Sequence, residues 1–352
     1  MKAGACVGGD GAAGFTGWTE PEVTAVADDV DVWALSDLAT PWCVYVVVTL
    51  RVPEHLAAGT TTVDELAVAC GCDPDALDRV LHHLAGKGLF TEPARGEFGL
   101  TAAARQLTDP GLRLGLDLDA FGGRMAGAWA SLLSAVRTGR PAYHEVFGRP
   151  FWDDLDAHPD VALSFDALMS PQGHGPADPE VLLTGGWEAV RRVVDVGGGT
   201  GGLLAAVLRA HPGLTGILVD LPRTVARSGE VFAAAGVGDR ATVAGQSFFD
   251  PLPAGADLYL LKSVLADWPD AEATAILRRC AEAARPAGRV IVLSGVSPDR
   301  PKGGDDLLMM VLIGGKERSL AEFGQLAGRA GLAVGTAGRN PNGRYVVECR
   351  PA

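Results

Sequence analysis

The sequence predicts an α/β protein in which a mostly parallel sheet carries helices on both faces, preceded by an α-helical region of winged-helix type. Three observations predict it. From Trp187 onward, short β-branched runs alternate with amphipathic helical patterns, and alternation at this spacing means βαβ units. Between Asp31 and Leu114, two helical patterns lead into an alternating stretch that turns at a glycine. The cluster "VVDVGGGTGG", Val193 to Gly202, joins the first β-type run to the helix after it, where open α/β sheets take their ligands.

The elements follow in chain order. Residues 1–17, "MKAGACVGGDGAAGFTG", are Gly/Ala-rich without an apolar run and read as a disordered leader. Residues 18–115 form the winged-helix-like unit. Its first helix contains "WCVYVVVTL", shorter than the ~20 residues a membrane span needs and too apolar for the surface of a monomer, so burial between two chains is expected. "TTTVDELAVACG" follows, capped by Thr61 or Thr62 and stopped at Gly71. Then comes "DPDALDRVLHHLAGKG", opened by Asp73-Pro74 and closed at Gly88, and "LFTEPARGEFGLT" reads as the hairpin. A DNA-reading version would load the second helix with cations. Here it has Asp73, Asp75 and Asp78 against Arg79 and Lys87, so dimerisation is the expected role.

Residues 116–183 read as a helical linker and lid, with "AWASLLSAVRTG", "PFWDDLDAHPD" and "ALSFDALMS" at helical spacing. Trp152, Phe165 and Met169 there either pack a core or line a substrate pocket. Residues 184–352 supply the sheet. Its strands are expected in "RRVVDV", "TGILVDLP", "RATVAG", "ADLYLLKSVL", "GRVIVLSGV" and "GRYVVECR", with helices in "GGLLAAVLRAHPG", "RTVARSGEVFAAAG", "DAEATAILRRCAEAA" and "SLAEFGQLAGRAG".

Composition narrows the partners. At 352 residues the chain can bury two domain cores, and 47% hydrophobic with 21% charged residues is an ordinary globular balance. A formal net charge of -13 repels phosphate backbones and anionic bilayers, so neither nucleic acid nor membrane is expected as a partner. The 6 cysteines show no framework spacing, which implies reduced thiols in the cytoplasm. Cys70 and Cys72 lack a second ligand pair, so no metal is expected.

The glycine cluster carries the chemistry. Gly197, Gly199 and Gly202 satisfy G-x-G-x-x-G, and Asp220 ends the next strand where a ribose hydroxyl is gripped, so on these residues alone a dinucleotide fits. Asp195 shifts the balance. A carboxylate at the mouth of the loop repels a pyrophosphate and favours ammonium and sulfonium charges, while the helix N-terminus after Gly201 can receive an α-carboxylate. S-adenosylmethionine (SAM) carries all these groups, and the fold is then a Rossmann-like class I methyltransferase domain.

Further stretches add to this: "LATPWCVYVVVTLRVPEHL", "DVGGGTGG", "VDLP", "SFFDPLPAGAD", "LKSVLADWPD" and "GGKERS", in that order from about Ala34 to the C-terminus. On them the chain resembles the SAM-dependent small-molecule O-methyltransferases of the plant caffeate type, most closely bacterial members that methylate aromatic polyketide units such as naphthoic acid, orsellinic acid or anthracyclines. The resemblance implies an intertwined homodimer. It places Gly197 and Gly199 in the SAM loop, Asp220 on the ribose, Phe248 and Ser247 near the adenine, and Lys262 in the cofactor site. Leu221 and Ser263, beside Asp220 and Lys262, complete the expected cofactor contacts.

One departure stands out. Where the family has His-Asp-Trp, the histidine being the general base, this chain has Ala266-Asp267-Trp268, and Ser294 stands where a glutamate often orients that histidine. Glu317 keeps its family position, with an ion pair to Arg318 as its other reading, and Ala266 and Asp267 are expected at the acceptor. A general base contributes roughly 3 to 5 kcal/mol, whereas positioning two reactants supplies roughly 7 to 11. Methyl transfer can therefore survive the loss, with His144 or His174 as conceivable replacements. O-methylation of a phenol is the reading preferred; C- or N-methylation, or a SAM-binding homologue that transfers no methyl, are the others.

Overall fold

The computed structural model describes residues 30–170, 177–183, 185–299 and 304–352; the expected leader and His174 lie outside them. The chain opens with α1 (Val32–Leu35) and α2 (Ala39–Thr49). Taken as one window, Val32–Thr49 has a mean hydropathy of 1.4 and would pass by composition for a membrane span. The backbone divides it, because α1 ends at Ser36 and the Asp37 carboxylate accepts from Ala39 N at 2.9 Å. Trp33, Leu35 and Leu38 are 75–86% exposed on the single chain.

α3 (Val52–Ala57) leads to α4 (Val63–Cys70), where Thr62 is the cap: its hydroxyl accepts from Glu65 N, and Gly71 ends the helix at φ +66°. α5 (Pro74–Gly86) starts on the Asp73 carboxylate. β1 (Phe90–Ala94) and β2 (Glu97–Leu100) pair antiparallel, which completes the helix–helix–hairpin order. Leu66, Leu77, Leu81, Leu84, Phe90 and Phe98 fill the core of this unit.

Short helices α6 (Ala102–Gln106) to α12 (Pro159–Met169) follow, among them α8 (Phe121–Ala128), α10 (Tyr143–Phe147) and α11 (Phe151–Ala157). A buried polar bolt holds the last three together. Asp154, 1% exposed on α11, accepts from Tyr143 Oη and Arg124 Nε at 2.8 Å each. An unpaired carboxylate could not stay buried there, so the triad specifies how the three helices meet.

The sheet has seven strands in the order β10-β11-β7-β6-β3-β4-β5. β3 (Arg192–Val196), β4 (Thr215–Asp220), β5 (Ala241–Gly245), β6 (Leu258–Lys262) and β7 (Arg289–Leu293) run parallel. β10 (Leu332–Arg339) and β11 (Tyr345–Pro351) form an antiparallel hairpin at the edge. β10 was not expected from sequence: "LAVGTAGR" alternates poorly because most of its side chains are exposed on an edge strand. Two cores lie on opposite faces of the sheet. One joins Leu204 and Leu208 of α13 (Gly202–Ala210) to Leu218 and Leu260; the other joins Ile276 and Leu277 of α16 (Asp270–Ala283) and Phe323 of α18 (Leu320–Arg329) to Val292. Between the last two helices runs α17 (Gly304–Ile313), whose Val311 and Leu312 join the core of helices α8 to α12.

Candidate active site

The parallel strands end at one edge, and a cavity of about 540 Å³ opens there. Its floor is the glycine loop. Gly197 sits at φ +69°, and a Cβ on it would lie 2.7 Å from Val264 Cγ2, so only glycine lets the loop close over the strand ends. Gly197 N donates to Val219 O at 2.8 Å, and Gly199 N to Asp220 Oδ2 at 2.8 Å. Asp220 also accepts from Leu221 N at 2.7 Å.

The carboxylates define what can enter. Asp195 is 1% exposed, and among the described residues neither of its oxygens makes a hydrogen bond of good geometry, although the Leu204 N–H acts on it. Burial pushes it up to about 7, against the pull of Lys262 and with the push of Asp220. Asp220 is also raised by burial, offset by the two backbone donors. Lys262 is lowered by burial and by Arg344 nearby. Such a carboxylate favours a cation in the cavity, and the ammonium of an amino acid would satisfy it. The residues present therefore fit SAM.

The opposite wall is aromatic. Trp268 and Trp152 lie nearly parallel at 14° with centroids 5.8 Å apart, while Phe248 and Phe249 meet Trp268 edge-on at 5.9 and 5.0 Å. Trp152 Nε1 is buried without a partner among the described residues, an N–H donor inside an apolar wall. Phe165 and Met169 of α12 line the same cavity. So does Asp267, which burial pushes up to about 7, a carboxyl able to take up a proton near neutrality.

Arg318 sets the turn that carries Asp267 and Trp268. It is 1% exposed; Nη1 donates to Leu265 O and Nη2 to Trp268 O, both at 2.7 Å, and Nε reaches Asp270 Oδ1 at 3.0 Å. Gly315 makes the approach possible, since a Cβ there would run into Ala266 O and the Asp267 backbone. Ser263 and Ser294, at the ends of β6 and β7, have φ of +56° and +68°, a strained conformation concentrated at this edge.

The cavity thus gathers Asp195, Gly197, Gly199, Asp220, Leu221, Ser247, Phe248, Lys262, Ser263, Trp152, Phe165, Met169 and Asp267. Two expected residues are not on its wall. Ala266 turns its lone methyl toward Gly295, and Glu317, half-buried on the loop before Arg318, donates its backbone N–H to Asp306 Oδ1 at 2.8 Å. His144 is exposed on α10 and also off the wall. The sequence reading missed Asp166, Phe249, Trp268, Ser294 and Arg344, all of which line the cavity. Trp268, Ser294 and Phe249 had a signal, since each lies in a stretch matched to the family, but none was assigned to the cavity. Burial pushes Asp166 up to about 6.

Residues 129–333 match the model of the O-methyltransferase domain. The chain belongs to the O-methyltransferase family. In this methyltransferase, residues 33–110 match the family's dimerisation domain. It is 48% identical over 309 residues to the 2,7-dihydroxy-5-methyl-1-naphthoate 7-O-methyltransferase of Streptomyces carzinostaticus, covering 86% of this chain and 92% of that one. Identity to the aclacinomycin 10-hydroxylase of Streptomyces purpurascens is 41% over 322 residues, 87% of this chain and 84% of the relative. The crystal structure of an O-methyltransferase from neocarzinostatin biosynthesis with S-adenosyl-L-homocysteine and 1,4-dihydroxy-2-naphthoic acid superposes with a TM-score of 0.87. Identity to it is 45%, covering 93% of this chain and all of that one. A second complex of the same enzyme holds SAM and 2-hydroxy-5-methyl naphthoic acid. The family's cofactor is SAM.

Proposed function

We propose that this methyltransferase methylates a phenolic hydroxyl of an aromatic polyketide-type acid in antibiotic biosynthesis, working as a homodimer in the cytoplasm. One observation carries the reading: a single cavity joins a cation-seeking acidic end, at Asp195 and Asp220, to an aromatic wall built by Trp152, Phe165 and Trp268. Bound SAM supplies an electrophilic methyl group on a sulfonium. Asp220 would hold the ribose hydroxyls, Ser247 and Phe248 the adenine, and Asp195 with the Gly197–Gly199 loop the methionine end. The aromatic wall excludes water and sandwiches a flat acceptor, and the Trp152 indole N–H orients an acceptor oxygen.

Asp267 replaces the missing imidazole as the group that takes the phenol proton. It lines the cavity one residue after Ala266, and its carboxyl near 7 accepts a proton at neutral pH. The exposed Trp33, Leu35 and Leu38 lie in the segment that matches the dimerisation domain, so a second chain covers them. A single-chain mass by light scattering at micromolar concentration would refute that.

Incubation with methyl-labelled SAM and a panel of hydroxynaphthoic acids, naphthols and aromatic amines tests the activity. A labelled methyl ether is expected. A labelled C- or N-methyl product would move the reaction to another atom, and SAM binding with no labelled product would place the chain beside the hydroxylase among its relatives.

A further inference from the structure

Among the described residues, three cations line the cavity: Lys262, Arg223 and Arg344. Arg223 pairs with Asp156 at 3.0 Å, and Lys262 lies in the field of Asp195. Arg223 Nε makes no hydrogen bond of good geometry among the described residues but keeps that ion pair; Arg344 Nη1 is buried with neither a hydrogen-bond partner nor an ion pair within 4.0 Å among the described residues. Asp178 is the acid in its field, and that carboxylate is already taken by the Asn340 amide at 3.3 Å and the Glu180 N–H at 2.9 Å.

The backbone of Arg344 is fixed. Arg344 N donates to Asn340 Oδ1 and Asn340 N to Arg344 O, both at 2.9 Å, closing the turn between β10 and β11. The Asn340 side chain, 4% exposed, is itself anchored on Glu180 O at 2.7 Å. A guanidinium held on a rigid turn, pointed into a ligand cavity and left with an unused buried N–H, is a preorganised anion site.

We propose that Arg344 binds a carboxylate of the ligands in this cavity, the counterpart of the Asp195 carboxylate, which awaits a cation. The inference rests on the proposed function, which brings two carboxylates within range: that of the methionine moiety and that of an aromatic acid acceptor. Charge balance supports it. Asp166, Asp195, Asp220 and Asp267 already line the wall, so a further anion is admitted only where a cation is left uncommitted.

Calorimetry of the full chain and its Arg344→Gln variant separates the sources. If the carboxylate is that of the methionine moiety, the variant loses about 10- to 100-fold affinity for S-adenosylhomocysteine and none for 5′-methylthioadenosine, which lacks the amino-acid end. If it belongs to the acceptor, the same loss falls on a hydroxynaphthoic acid and spares the matching naphthol. Arg344→Lys, which keeps the charge, retains most of the binding in either case, and unchanged thermal midpoints certify the fold. Affinities of the Gln variant for all four ligands that match those of the unaltered chain, or equal loss on a ligand and its carboxylate-free counterpart, overturn the assignment. Failure of the unaltered chain to bind S-adenosylhomocysteine would instead sink the cofactor reading on which the assignment rests.

Discussion

Asp195→Asn separates what the cofactor site does for stability from what it does for binding. The carboxyl moves from 3.8 in the open chain to about 7 in the fold. A group whose pKa is raised by folding is protonated more readily in the native state, so its burden on stability is absent below pH 3.8. It grows between there and about 7, and is complete above 7. At 1.36 kcal/mol per pH unit, that burden reaches about 4 kcal/mol in the ligand-free protein. The asparagine removes it but buries an amide with no partner, at about 1–3 kcal/mol. The variant should therefore be about 1–3 kcal/mol more stable at pH 8, a rise of a few degrees in thermal midpoint, and lose the advantage toward pH 4. Its affinity for S-adenosylhomocysteine should fall by about 10- to 100-fold, because the ammonium loses a charged acceptor. Differential scanning fluorimetry across pH 4–9, with and without that ligand, reads both effects. A variant less stable at pH 8, or one that binds the ligand as the parent does, would refute the account of Asp195 as a destabilising group kept for its ligand.

Other expectations follow from the same wall. Asp220→Ala should weaken both SAM and its demethylated product by about 1.5–3 kcal/mol, seen by calorimetry, since the carboxylate offers charged acceptors to the ribose. With an ordinary phenol of pKa ~10, kcat/KM of the parent should rise with pH and level off above about 7, where Asp267 is ionised. Asp267→Asn should lose that plateau, climb on toward 10 and run about 10²- to 10⁴-fold slower at pH 7, with Asp267→Glu restoring part of the rate; a variant that keeps the break near 7 would show that another group takes the proton. Gly315→Ala forces a methyl into Ala266 O and the Asp267 backbone, so it should lower the thermal midpoint and depress kcat more than it raises KM.

Much of this was legible in the chain. The alternation after Trp187 marked six of the seven strands, and "DVGGGTGG" with Asp220 located the cavity floor, because glycine spacing and a strand-end carboxylate are local features that survive in one dimension. β10 escaped because an edge strand with exposed side chains carries no alternation. Arg344 and Asp166 escaped for a different reason. The first reaches the cavity only because β11 returns antiparallel beside β7, and the second only because α12 folds back over the sheet, so their arrival depends on topology that no local pattern encodes. Ala266 shows the converse: a position matched by family motif was expected at the acceptor, and its methyl faces Gly295 and is not among the residues lining the cavity.

The grip of Arg318 on the 265–268 turn has a consequence for how this family can diverge. The guanidinium holds the carbonyls of Leu265 and Trp268 and the Asp270 carboxylate, none of which belongs to the side chain at 266. The shape of the turn is thus indifferent to what position 266 carries. These three contacts do not depend on the side chain at 266, so acid–base chemistry there is a detachable fitting on a fixed bracket. A lineage can discard the proton acceptor, adopt a neighbouring carboxyl, or give up group transfer for another reaction, while the pocket that selects flat aromatic guests is inherited intact.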